Sequence, residues 1–188
     1  MTDSHFTFEL SDDEKQYLLD VARLSIRRSL GMEQGAGLPE PPSARLTEKF
    51  GAFVTLKKRN SLRGCIGHIV GDAPLNETIY RMAHSAAFED PRFPSLAESE
   101  YRELSIEISV LSELTPCPDP EQIVVGRHGL LMQQGMHQGL LLPQVPVEWG
   151  WTREQFLAQT CGKAGMPATC WRDPQTRIFW FEAAIFGD

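Results

Sequence analysis

The 188-residue sequence has no excess of basic residues, no closely spaced cysteine pair and no long apolar run. Each absence narrows the function. Lys and Arg number 18 against 25 Asp and Glu, a formal net charge of −7. A surface of that sign repels polyphosphate, so nucleic-acid binding would need a local basic patch. A nucleotide or a small anion stays open. The four cysteines, Cys65, Cys117, Cys161 and Cys170, show neither CxxC pairing nor the density of a disulfide scaffold. The expectation is of reduced thiols in a cytoplasmic protein, most of them buried as small apolar side chains. No segment approaches the roughly twenty apolar residues that cross a bilayer, so no membrane is expected. The opening "MTDSHFTFELSDDE" is charged too early for a secretory leader.

What is present is an ordinary globular balance, 41% hydrophobic and 23% charged, which permits a buried core. The length suits one domain, or one domain with two lobes. Ser11 and Glu14 make a capping box, followed by Tyr17, Leu18, Val21 and Leu24 at helical spacing and Gly31 at a C-cap. Residues 31–45 are rich in Gly and Pro and predict a surface connection. A hairpin follows: strands over 50–56 and 62–70 joined by the polar turn 57–61. Pro74 opens a helix whose stripe is Leu75, Ile79, Met82, Ala83 and Ala86, and Pro91 and Pro94 force its end. Ile106, Ile108 and Val110 alternate with polar residues as a half-buried strand. Short strands are expected at 123–125 and 130–132 around "GRHG". Thr152 and Gln155 cap a helix carrying Phe156, Leu157, Thr160, Cys161 and Ala164, and residues 177–186 predict one terminal strand. Hairpins and separate helices without a βαβ repeat imply an α+β fold with mainly antiparallel sheet.

The chemistry-bearing stretch is "SLRGCIGH", residues 61–68. Strand alternation puts Arg63, Cys65 and Gly67 on one face and Gly64 and His68 on the other. A cation beside Cys65 would favour its thiolate, and Gly64 and Gly67 clear space for a ligand or for another backbone. The plain alternative is a crowded packing site with an inert cysteine. Cys65 and His68 point oppositely and cannot chelate together, and no other pair has zinc spacing. His128, between Gly126 and Gly129, suits a general base, or a ring bonded to a nearby carbonyl. In "EDPRFPSL", Arg92 is either an anion clamp or the partner of Asp90 or Glu89. Glu107 and Glu182 are strand carboxylates, and Lys57, Lys58 and Arg59 form a basic turn. His5 and His137 read as tail and turn positions, and His84 as a surface residue.

The hexapeptide "LRGCIG" (62–67) resembles the signature of the AMMECR family. "AFEDPRFPSL" (87–96), "SIEISVL" (105–111), "VGRHGLL" (125–131), "GLLLPQV" (139–145) and "TCGKAG" (160–165) agree in the same order. The resemblance implies an α+β fold of two lobes with a groove between them and the signature near that groove. Prokaryotic members resemble the "A" component of the AmmeMemoRadiSam set, beside or fused to a Memo-like protein and a radical SAM enzyme. This chain carries no Memo-like segment, so such a partner would be separate. The resemblance attaches no cofactor and no reaction.

Three functional readings follow. In the first the protein is a thiol-dependent enzyme or enzyme subunit acting on a small anionic substrate. Cys65 is then the nucleophile and His128 the base, with Arg63, Gly64, Gly67, Asp90 and Arg92 binding substrate. In the second it is a nucleotide- or RNA-binding module. In the third it is an accessory protein docking onto a Memo-like or radical SAM partner.

Overall fold

The computed structural model describes residues 9–188, so His5 lies outside the described residues. In chain order the regular elements are α1 (Asp12–Ser29), β1 (Gly51–Lys58), β2 (Ser61–His68), α2 (Leu75–Phe88), β3 (Leu104–Leu111), β4 (Thr115–Pro116), β5 (Gly129–Gln134), β6 (His137–Leu141), α3 (Gln144–Glu148), α4 (Arg153–Lys163), β7 (Arg177–Phe181) and β8 (Ala183–Gly187). Every recorded pairing between these strands is antiparallel, the α+β arrangement expected from the sequence. The chain divides into two compact units, a larger one of 9–111 with 184–188 and a smaller one of 112–183.

In the larger unit a four-stranded sheet, ordered β2-β1-β3-β8, is covered on one face by the two helices. Its core joins Leu18, Val21 and Ile26 of α1 and Leu75, Ile79 and Ala83 of α2 to Val54, Leu56, Ile106 and Ile108 of the sheet, all at 0–1% exposure. Each of the Leu, Ile and Val side chains contributes roughly 1.5–3 kcal/mol on burial. The α1 capping box forms, with the Ser11 N–H donating to Glu14 Oε2 at 2.8 Å and the Glu14 N–H to Ser11 Oγ at 3.3 Å. Asp12 and Asp13 at its start and Arg27 and Arg28 at its end suit the helix dipole.

The β1–β2 turn is tighter than its sequence suggests. Only Arg59 and Asn60 lie outside the strands, both left-handed, at φ 51° and 63°. That is the two-residue type I′ geometry that matches strand twist. Lys57 and Lys58 therefore belong to β1. Together with Arg59 they pair with Glu107, Glu100 and Glu103 respectively, so the basic turn is neutralised by carboxylates of the same unit.

The smaller unit has a sheet ordered β4-β7-β5-β6, with α4 packed on β5 and β6. Its core gathers Ile123, Leu130, Met132, Phe156, Leu157, Cys161 and Cys170. The expectation of free thiols fails for two cysteines: Cys161 and Cys170 form a disulfide. Folding carries the end of α4 and the 3-10 turn Cys170–Arg172 together, a proximity that a sequence separation of nine does not announce. No strand forms at 123–125, where a turn instead closes with the Arg127 and His128 N–H groups donating to Val124 O. The terminal strand is broken at Glu182, with β7 in this sheet and β8 in that of the larger unit. Among the described residues no helix is long and apolar enough to cross a membrane.

Candidate functional site

Strand β2 is an edge strand, so the outward N–H and C=O groups of Cys65 have no strand neighbour. The "EDPRFP" segment supplies one in side-chain form. Asp90 Oδ2 accepts the Cys65 N–H at 2.9 Å, and Arg92 Nη2 donates to Cys65 O at 3.2 Å. Arg92 grips Asp90 through Nε at 2.9 Å and Nη2 at 2.7 Å, and its own N–H donates to Asp90 Oδ1 at 3.1 Å. This last bond is an Asx turn, fixed by the flanking prolines. The Asp90 side chain is 2% exposed while that of Arg92 is 53% exposed. The Arg92 guanidinium, aided by the Cys65 and Arg92 N–H groups, holds the Asp90 carboxyl far below the usual carboxylate range despite burial. Asp90 in turn raises the pKa of Arg92, and the nearby Cys65 adds to that effect electrostatically.

Arg63 does not follow simple alternation. Leu56 pairs with Gly64 and Lys57 with Leu62, which leaves Arg63 as the extra residue of a bulge. Bulges re-aim side chains. Its guanidinium is buried, donating from Nε and Nη2 to Glu100 at 3.2 and 3.0 Å and from Nη2 to Pro94 O at 2.9 Å. Glu100 also accepts from Lys58 Nζ and from the Ala97 N–H. Arg63 is the main reason its pKa is pulled down to about 2. Arg63 and Arg92 lie on the ring of Phe93 at 5.9 and 5.6 Å from its centroid. Both guanidinium groups thus already hold a carboxylate of this chain.

On the sheet face away from the helices the register lines up Cys65, Thr55 and Glu107 across β2, β1 and β3. Thr55 Oγ1 donates to Cys65 Sγ at 3.2 Å, and Lys57 Nζ donates to Glu107 Oε2 at 2.8 Å. The Cys65 side chain is half-buried and carries no disulfide. A sulfur with a hydroxyl donor, on a backbone gripped from the edge, can act as a fixed nucleophile.

The two glycines serve packing. A Cβ on Gly64 would sit 2.0 Å from the carbonyl oxygen of Ala86, so α2 occupies the space beside it. On Gly67 it would meet the Phe53 ring at 2.3 Å. The space these glycines clear is filled by the protein itself.

His128 stands in the smaller unit. Its Nδ1 accepts the Val124 N–H at 3.1 Å, and its ring packs against Trp180 with centroids 4.5 Å apart. Burial, helped by the neighbouring Arg127, lowers its pKa, so the ring is neutral at pH 7. With Nδ1 accepting, the proton sits on Nε2, and the remaining ring nitrogen is a donor rather than a base. Arg127 donates to Glu182 at 2.5 Å.

Arg63, Gly64, Cys65, Gly67, Asp90 and Arg92 are therefore all in the larger unit, with Asp90 and Arg92 touching Cys65 directly. Thr55 and Glu100 were missed. Thr55 shows in the sequence only as the polar member between Val54 and Leu56, and Glu100 is one of several acids in "AESEYRE". Among the described residues no group of three His, Cys, Asp or Glu side chains is arranged to hold a metal ion.

The AMMECR1 family model matches residues 19–186. The protein TK0174 of Thermococcus kodakarensis is 44% identical over 189 residues, covering 95% of this chain and 92% of that one. A protein of Methanothermobacter thermautotrophicus is 42% identical over 183 residues, covering 94% and 95%. The crystal structure of the uncharacterized protein PH0010 from Pyrococcus horikoshii superposes with a TM-score of 0.88 at 41% identity, covering 96% of this chain and 94% of that one. The chain belongs to the AMMECR1 family.

Proposed function

We propose that this AMMECR1-family chain works through the thiol of Cys65, as a cysteine-dependent enzyme or enzyme subunit acting on a small anionic substrate. The observation that carries the reading is the treatment of Cys65. Asp90 and Arg92 take both of its free backbone groups, while the residue stays half-buried as a free thiol with a hydroxyl donor from Thr55. Cys65 is the nucleophile, and the exposed edge of Arg92 attracts the anion. Arg63, held by Glu100 and Pro94, supports the segment that carries Arg92. Gly64 and Gly67 seat β2 rather than substrate. His128 is not assigned the base, because its acceptor nitrogen is already used. A Memo-like protein and a radical SAM enzyme are the partners that the resemblance to the AmmeMemoRadiSam set implies.

The test is alkylation of the native protein by iodoacetamide at neutral pH, read by mass spectrometry. Cys65 should react faster than Cys117, whose thiol pKa is pushed up by burial. A Cys65 no faster than Cys117 sinks the reading.

One observation favours the accessory reading beside it. Trp149, Val147 and Val124 of the smaller unit are 70%, 58% and 50% exposed, and Trp149 stacks on Trp151. Large apolar side chains left so exposed suit protein docking. If docking is the whole function, a complex with a Memo-like or radical SAM protein survives Cys65→Ser and is lost in Trp149→Ala. Nothing comparable supports RNA, because the basic turn is already paired.

A further inference from the structure

The connection at 31–45 walls a cleft through residues 35–38. It is tied down at three points: Arg27 to Glu33 at 2.6 Å, Arg28 Nη1 to Gly37 O at 2.9 Å, and the Tyr17 hydroxyl to Pro39 O at 2.6 Å. Between this loop, the end of α1 and the outer side of α2 lies a cleft of about 350 Å³. Arg28, Ala36, Leu38, Glu77, Tyr80 and Arg81 line it. The volume falls within the range of small-molecule sites, and a long tethered loop is a common wall for one.

The charges at the cleft are unbalanced in a specific way. Arg27 has Glu33, and Arg81 has Asp72 at 2.8 Å. Arg28 is partly buried, yet its recorded hydrogen bond goes to a neutral carbonyl, and its Nε is buried without a partner. No ion pair among the described residues includes it. A half-buried guanidinium whose hydrogen bond goes to a neutral carbonyl, with no carboxylate beside it, leaves a position for an anion. Glu77 on the same cleft opposes a polyanion, while Ala36, Leu38 and the Tyr80 ring offer apolar surface.

We infer that this cleft binds a small monocarboxylate with an apolar body, its carboxylate on Arg28 and its apolar part against Leu38 and Tyr80. The site is separate in sequence and chemistry from Cys65 and stands or falls without it.

Calorimetric titration of the whole chain with 3-phenylpropionate, acetate and inorganic phosphate tests it. The expected result is saturable one-to-one binding of 3-phenylpropionate, tighter than acetate or phosphate. Arg28→Gln should weaken it by about tenfold or more, the effect of losing one charge-assisted contact, and Arg28→Lys should weaken it less. Leu38→Asp, on the loop and away from the core, should also abolish binding, with circular dichroism confirming that each variant is folded. The proposal is overturned if the wild-type protein shows no saturation or if folded Arg28→Gln binds equally well. Phosphate or acetate binding as tightly as 3-phenylpropionate also overturns it, since the ligand class is then wrong.

Discussion

Asp90 accepts the backbone N–H of Cys65 across 25 residues of sequence, at 2.9 Å, while its ion-pair partner Arg92 donates to the carbonyl of the same cysteine. An acid–base pair thus stands in for the strand that an edge lacks, and does so at the signature cysteine. This ties the two most distinctive motifs of the sequence into one object.

Asp90→Asn should lower stability by about 2 kcal/mol at pH 7, from the loss of a buried charge that satisfies several donors. The folded-state pKa of Asp90 lies below its unfolded value. Its contribution is therefore complete above the unfolded pKa of about 4 and is lost as pH falls toward the folded pKa. Urea unfolding at several pH values should show the gap between wild type and Asp90→Asn closing below about pH 4. A gap that is constant down to pH 2 would refute the charged role.

Thr55→Val keeps the shape and strand preference of the side chain but removes the donor to Cys65 Sγ. The hydroxyl holds the sulfur in one position, so alkylation of Cys65 at pH 7.5 should slow by about three- to tenfold without it. Thr55→Ser should restore the rate. Equal rates in all three proteins would show that the 3.2 Å contact is incidental.

Glu100→Ala strands the buried Arg63 guanidinium and also releases Lys58. The expected cost is about 3 kcal/mol. Glu103→Ala, which frees only the exposed Arg59, should cost about 0.5 kcal/mol or less. Chemical denaturation of both variants distinguishes a buried strut from a surface pair.

His128 has a lowered folded-state pKa, so the unfolded chain binds its proton more readily. Stability should then decline as pH drops below about 6.5, levelling off once the folded pKa is passed. In His128→Gln the decline over that window should be shallower. An unchanged slope between pH 7 and 5 would mean that other groups carry it.

The Cys161–Cys170 disulfide predicts two titratable thiols in the unfolded, non-reduced chain and four after reduction. Closing so short a loop is worth about 2–3 kcal/mol. Cys170→Ser should lower the melting temperature, and thiol reductants should destabilise the wild-type protein but not the variant. Four thiols before reduction would exclude the bond.

Much of this was legible in the sequence because it is local. The capping boxes at Ser11 and Thr152 announce α1 and α4 through side chains three residues apart. The alternation of Ile106, Ile108 and Val110 announces β3, since a strand facing one core repeats every second residue. The split at Glu182 was not legible. Between Arg177 and Phe186 the run is aromatic and aliphatic apart from Glu182, and a single carboxylate within a strand does not by itself announce that one sheet yields to another there. The disulfide escaped for a related reason, because a helix end and a later turn meet only once both are packed.

The sequence by itself determined most of the long elements, the antiparallel α+β class and the family, since these rest on periodicity, capping and ordered motifs. It also named Cys65, Asp90 and Arg92. Only the tertiary structure decided what they do to one another. The bulge that turns Arg63 into Glu100, the Ala86 carbonyl that fills the space at Gly64, and the cross-strand row of Cys65, Thr55 and Glu107 all depend on register. Register is fixed by the summed burial of both strands and by the helices above them, and no single segment encodes it.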